Sequence, residues 1–221
     1  MKKILYTAIL TLIVLTMGAC NNTNNISKSK SDNTLSEAKL TDREKDILST
    51  TTDQSFVFEY HMADSTYKEV SVWVEKYESG KRVEDKKIHV TAGLKNNGTI
   101  IFATSTPTSH QNESMFSVSI NSKGDTTTGS NLETITKEGS GQSKSLKISE
   151  INTESVMSVW GSNEAENILI SDKMVLASVG YSYGEGSMRT LSQDFYSDMD
   201  HHINEIKDFD VVYLLRSEFT K

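Results

Sequence analysis

Cysteine occurs once in 221 residues, and so does proline. A single thiol excludes an intramolecular disulfide, so stability has to come from packing and hydrogen bonds. With Pro107 alone, turns depend on Gly, Asn, Asp and Ser, the other residues that relieve tight backbone geometry. Cations are also short: 23 Lys and Arg face 30 Asp and Glu, for a net charge of −7. Such a surface repels phosphate backbones and argues against nucleic acid as a partner. Long apolar runs are missing too. The stretch from Ile4 to Leu15 is almost wholly apolar or small, but it is shorter than the about twenty residues a spanning helix needs. The chain contains no His-Glu-x-x-His, no calcium loop of EF type and no phosphate loop. No cofactor is implied.

What is present begins at the N-terminus. Lys2 and Lys3 precede the apolar stretch, and Gly18 and Ala19 follow it, directly before Cys20. Positive charge, a short apolar core and small residues, in that order, make a secretory signal pattern. Met17-Gly18-Ala19-Cys20 resembles the lipobox of bacterial lipoproteins, with Met in place of the usual Leu. The resemblance implies cleavage before Cys20 and attachment of diacylglycerol to its thiol. Residues 1–19 would then be a signal peptide, and their loss takes the net charge from −7 to −9, because Lys2 and Lys3 are their only charges. Two acyl chains give the double hydrophobic signal that stable anchoring requires. The expected location is the extracytoplasmic face of the cell membrane. This use of Cys20 also removes the only thiol from the catalytic candidates.

Residues 20–40 are expected to be a lipidated Cys and a disordered polar tether, since Asn, Ser, Thr and Lys dominate and little apolar surface can be buried. Residues 41–221 are expected to be one β-rich domain. Thr41 and Glu44 form a capping-box pattern and predict a helix from Asp42 to about Ser49, with Ile47 and Leu48 inward. After it the hydrophobic period becomes two: Phe56, Phe58, Tyr60; then Val70, Val72, Val74; then Phe116, Val118, Ile120. These predict half-buried antiparallel strands. Further strands are expected at 87–92, 99–104, 132–137, 144–149, 167–171, 173–181 and 210–217. The Asn97-Gly98 pair predicts a hairpin between the segments around Ala92 and Ile100. Residues 121–145, rich in Gly, Ser, Thr and Lys, are either a long loop or weak edge strands. Leu191, Phe195, Met199, Ile203 and Ile206 share one face of a predicted amphipathic helix. The run Asp210–Arg216 after it reads as a central strand buried on both faces. The fold class is therefore mainly β, an antiparallel sheet or sandwich with a covering helix near the C-terminus; α+β is the alternative.

Candidate chemistry is sparse. Asp198, Asp200, His201, His202 and Glu205 are the densest set of possible metal ligands. Adjacent histidines on a helix point about 100° apart and do not easily serve one ion, and closed zinc sites need four ligands. No metal site is assigned. The Gly- and Tyr-rich segment Val179–Thr190 is either a strand-to-helix turn or a binding loop offering Tyr181 and Tyr183. Trp73, on the face of its strand opposite the valines, is either core or a contact surface. Trp160, before Gly161-Ser162-Asn163, is the better surface candidate. The leading expectation is a membrane-anchored, non-catalytic binding or interaction module, with an unknown protein or small-molecule partner at the envelope and Trp160, Tyr181 and Tyr183 as candidate contacts. The alternative is an envelope enzyme whose site the sequence does not reveal.

Overall fold

The computed structural model describes residues 32–108, 113–122, 124–135, 156–171, 173–183 and 187–221. The lipobox, Cys20 and the strand expected at 144–149 lie outside them. The described elements are β1 (Thr34–Glu37), α1 (Asp42–Ser49), β2 (Gln54–His61), β3 (Glu69–Glu78), β4 (Lys81–Glu84), β5 (His89–Gly93), β6 (Asn97–Ser105), β7 (Glu113–Ser122), β8 (Asp125–Thr134), β9 (Val156–Ser162), β10 (Ile168–Leu169), β11 (Lys173–Tyr183), α2 (Gln193–Ser197), α3 (Met199–His202), a 3-10 turn (Ile203–Asp208) and β12 (Val211–Thr220).

The alternating apolar residues build two sheets. Sheet A has the order β10-β1-β2-β6-β7-β8; sheet B has the order β4-β3-β12-β11-β9, with β5 also paired to β3. Every pairing is antiparallel. Because side chains alternate, Phe56, Phe58, Phe102, Phe116 and Val118 of sheet A meet Val70, Val72, Leu215, Tyr213 and Val179 of sheet B in one core. Phe116 and Tyr213 join the two layers with ring centroids 4.4 Å apart. The fold is sandwich-like and mainly β, as its sequence pattern predicts. β12 lies inside sheet B between β3 and β11, the central place expected for its uninterrupted apolar run. The two-residue turn Ser79-Gly80, with both φ values positive (47° and 77°), closes the hairpin between β3 and β4. Positive φ at both central residues matches the right-handed twist of the strands they join.

Several expectations are corrected. The segment assigned to a disordered tether includes β1, whose Leu35 is fully buried and whose backbone pairs with β2 and β10. One apolar residue in a polar stretch suffices when both neighbours are strands. The predicted Asn97-Gly98 hairpin does not form: β5 joins sheet B through β3, whereas β6 joins sheet A between β2 and β7. The Asn-Gly pair thus starts a strand after the chain has crossed from one sheet to the other. Helix α1 does have its capping box, with Thr41 Oγ1 accepting from the Glu44 amide and Glu44 reaching back to the Thr41 amide at 2.7 Å. It packs no residue into the core, however, and Ile47 is 56% exposed. Residues 125–134 form β8, the outer strand of sheet A, so the edge-strand reading holds for that part of 121–145.

The predicted C-terminal helix is three short turns rather than one. Asp198 leaves helical geometry (φ −146°, ψ 71°) and caps α3 by accepting from the His201 amide. A capping side chain restarts the helix where its own backbone has broken it. The covering role survives the break. Leu191, Phe195 and Ile206 remain buried against Tyr77, Val212 and Leu214 on the outer face of sheet B. Among the described residues, no helix is long and apolar enough to cross a membrane.

Candidate functional site

Sheet A keeps an open outer face. Antiparallel register places residues directly opposite one another on the same side, so the outward side chains form rows across the strands. One row runs Ser36–Glu59–Thr99–Asn121–Thr126 through β1, β2, β6, β7 and β8. The next runs Thr34–His61–Asn97. Apart from Thr126 at the end of the first row, these residues together with Asn96 and Asn167 line a groove of about 690 Å³. Asn167 stands in the left-handed region (φ 55°) and donates its amide to Ser36 Oγ at 2.8 Å, which holds the bordering loop against β1. The floor is thin at Gly98. A Cβ there would collide with the Tyr60 hydroxyl and the Asn121 carbonyl, so only Gly lets Tyr60 pack beneath the groove.

Most of the lining side chains are polar, with Tyr60 and Gly98 among them, and they carry little charge. His61 Nδ1 and Asn97 Oδ1 are 2.7 Å apart, and Asn121 donates from Nδ2 to Thr126 Oγ1 at 2.8 Å. Lys95, adjacent in sequence to Asn96, is taken up by Asp125 at 2.9 Å, a pair that lowers the Asp125 carboxyl. Glu59 is the only carboxylate in the lining and is exposed. Tyr60 sits below with its hydroxyl buried, and burial pushes that phenol up. Its oxygen and that of the neighbouring Ser122 are both buried without hydrogen-bond geometry to any described group. The groove can offer hydroxyls, amides, one carboxylate and one imidazole. Among the described residues it offers no Lys or Arg.

The three candidate contact residues lie elsewhere. β9 and β11 bring them onto one face of sheet B: Trp160 is opposite Val179, Tyr181 opposite Ser158, and Tyr183 opposite Val156. That face is the one turned toward the core. Tyr181 is only 8% exposed, with its ring 6.1 Å from Tyr213 and edge-on to it. Tyr183 is half-buried, with its phenol pushed up to about 12 by burial first and Asp210 second. Only Trp160, at 40% exposure, presents a ring to solvent, and it does so from an edge strand rather than a loop. The shared face therefore makes no common open surface. Trp73 is core, donating from Nε1 to Glu75 at 3.1 Å.

The acidic and histidine cluster resolves into two separate capping pairs. His201 Nδ1 lies 2.7 Å from Asp198 Oδ2, and His202 Nδ1 lies 3.1 Å from Glu205 Oε1. The first contact lowers Asp198 and raises His201. Burial acts to raise Glu205, but the Ser192 amide and hydroxyl and His202 outweigh it, so the carboxyl is lowered. Among the described residues, no group of three or more His, Cys, Asp or Glu is placed to hold a metal.

Two buried carboxylates carry no sequence signal. Glu75 accepts from Trp73, Tyr77 (2.8 Å) and Arg216 (3.4 Å) on the outer face of sheet B. Glu133 of β8 accepts from Tyr213 (3.0 Å) and pairs with Lys87 (2.8 Å), linking the two sheets. Glu133 is met by Tyr213 and Lys87, and Glu75 by Arg216 as well as by its own strand, and periodicity does not reveal these distant partners.

These features define an antiparallel β-sandwich with one face closed by helical turns and the other left as a polar groove. Residues 34–219 match the YgaN domain, and the chain belongs to that family. No curated protein and no solved structure matches it.

Proposed function

We propose that this protein is a lipid-anchored, extracytoplasmic, non-catalytic binding module. The observation that carries the proposal is Met17-Gly18-Ala19-Cys20, set directly after a dibasic start and a short apolar stretch. With Cys20 as the first mature residue, thirteen residues separate it from β1 at Thr34. Fully extended, they reach at most about 45 Å, which keeps the domain near the membrane surface. The binding role is supported by the groove on sheet A, the one described concave face whose size suits a small ligand. Its Glu59 and His61 lie on the same face of β2, and His61 Nδ1 lies 2.7 Å from Asn97 Oδ1.

The anchor is tested by replacing Cys20→Ser and fractionating cells. The variant should leave the membrane fraction for the medium or persist as an unprocessed precursor. Normal cleavage with full membrane retention would overturn the anchor.

A further inference from the structure

We infer that the sheet A groove binds a neutral, polyhydroxylated ligand, a saccharide chain, laid across the strands along Ser36, Glu59, Thr99 and Asn121. The inference rests on the binding-module reading and names its ligand class. It follows from what the groove offers and what it withholds.

Anionic ligands find no partner there. Among the described residues no Lys or Arg lines the groove, and the adjacent Lys95 pairs with Asp125 at 2.9 Å. Phosphate and sulfate groups are recognised through charge-assisted donors, and Arg and Lys supply them best. Apolar ligands gain little, because no aliphatic side chain lines the groove. An extended peptide cannot add as a strand, because the groove floor is the interior of a sheet whose backbone groups are already paired.

Hydroxyl-rich ligands fit the remaining chemistry. A sugar hydroxyl both donates and accepts, and Asn, Ser and Thr do the same. Internal pairing orients these groups and still leaves part of each free. Asn97 uses Oδ1 on His61 and keeps its amide donors; Asn121 donates from Nδ2 to Thr126 and keeps Oδ1 as an acceptor. Glu59 makes no hydrogen bond or ion pair with any described residue, so its carboxylate can accept from two hydroxyls at once. Strand spacing repeats these groups every about 4.8 Å along the row, a step comparable to the width of a pyranose ring. A volume of about 690 Å³ accommodates a short oligosaccharide.

The test uses the full chain purified in detergent with four probes: saturation-transfer NMR for chitotetraose, maltotetraose and spermine, and phosphorus NMR line broadening for inorganic phosphate. At least one tetrasaccharide should receive magnetisation, and the phosphate line should not broaden. Glu59→Gln removes a charge-assisted acceptor without changing shape and should weaken tetrasaccharide binding about tenfold. Asn121→Ala should weaken it severalfold, with near-UV circular dichroism reporting that the fold is retained. Phosphate binding, or saccharide binding unchanged in both variants, would overturn the inference. A response to spermine alone, lost in Glu59→Gln, would overturn the saccharide class while keeping the groove as a binding site. Silence from all four probes would overturn both the class and the groove, leaving the lipid anchor to its own fractionation test.

Discussion

The two outward faces of the sandwich are built from the same kind of strand and have opposite fates. On sheet B, Tyr77, Val212 and Leu214 point outward, and the turns between Leu191 and Phe209 close over them. On sheet A the outward rows are Ser36, Glu59, Thr99, Asn121 and Thr126, and they stay open. An apolar outer face has to be removed from water, so it recruits a cover at the cost of chain length and ordering entropy. A polar face needs none, and is therefore free to meet something else. The cover and the groove are two consequences of one choice, made strand by strand, about which residues alternate with the core.

This contrast can be broken by mutation, beginning at the covered face. Phe195 is fully buried beneath the turns. Phe195→Ala should destabilise the protein by about 3–5 kcal/mol in denaturant unfolding, through lost burial and the cavity left behind; a loss below about 1 kcal/mol would mean that the turns do not seal the face. Next is Glu75, the buried acceptor under the same cover. Glu75→Ala leaves Arg216 without its carboxylate and Trp73 and Tyr77 without an acceptor, and should cost about 3 kcal/mol in the same measurement. Thr41→Ala removes the cap of α1, which has no fully buried residue, and should cost about 1 kcal/mol. On the open face, Ser119→Ala and Thr128→Ala each remove one partner of a single exposed cross-strand hydrogen bond (2.7 Å) and should move stability by no more than about 0.5 kcal/mol. Effects as large as that of Phe195→Ala would erase the distinction between the faces.

The smallest expected effect concerns the Asp198–His201 pair. Asp198 is lowered from its ordinary 3.8, so its contribution is present above that value and fades as pH falls through the lowered one. His201 is raised from 6.5, so its contribution is full below 6.5 and fades as pH rises through the raised value. The pair therefore acts mainly between those two ordinary values. Both groups are fully exposed, and the readout is titration rather than stability. In NMR, Asp198→Asn should lower the His201 midpoint; an unmoved midpoint would show that the contact at 2.7 Å does not persist in solution.

Local signals were the legible part of this fold. The Thr41–Glu44 capping box marks α1, because a cap is made within four residues. The alternations at 56–60, 70–74 and 116–120 mark the core faces of β2, β3 and β7, because a strand repeats every two residues. The long apolar run of β12 marks a central strand, because only an interior strand is buried on both sides. Partnership was not legible. Nothing in Asn97-Gly98 reveals that β5 and β6 belong to different sheets, and the helical period across 191–206 does not register the break at Asp198. The groove was equally hidden. Its residues come from positions 34, 36, 59–61, 96–99, 121 and 167, and no local window contains the set.

The amino-acid sequence by itself determined the mainly β class, the core faces and the capping box of α1, because these follow from periodicity and short-range hydrogen bonding. It also marks Cys20 as the candidate attachment point, because that pattern is read within one short stretch. Only the tertiary structure decided that Tyr181 is core, that Glu75 and Glu133 are buried, and that eight polar residues of no common motif share one open face. Burial and adjacency depend on which strand lies beside which, and that is set by the packing of the whole domain.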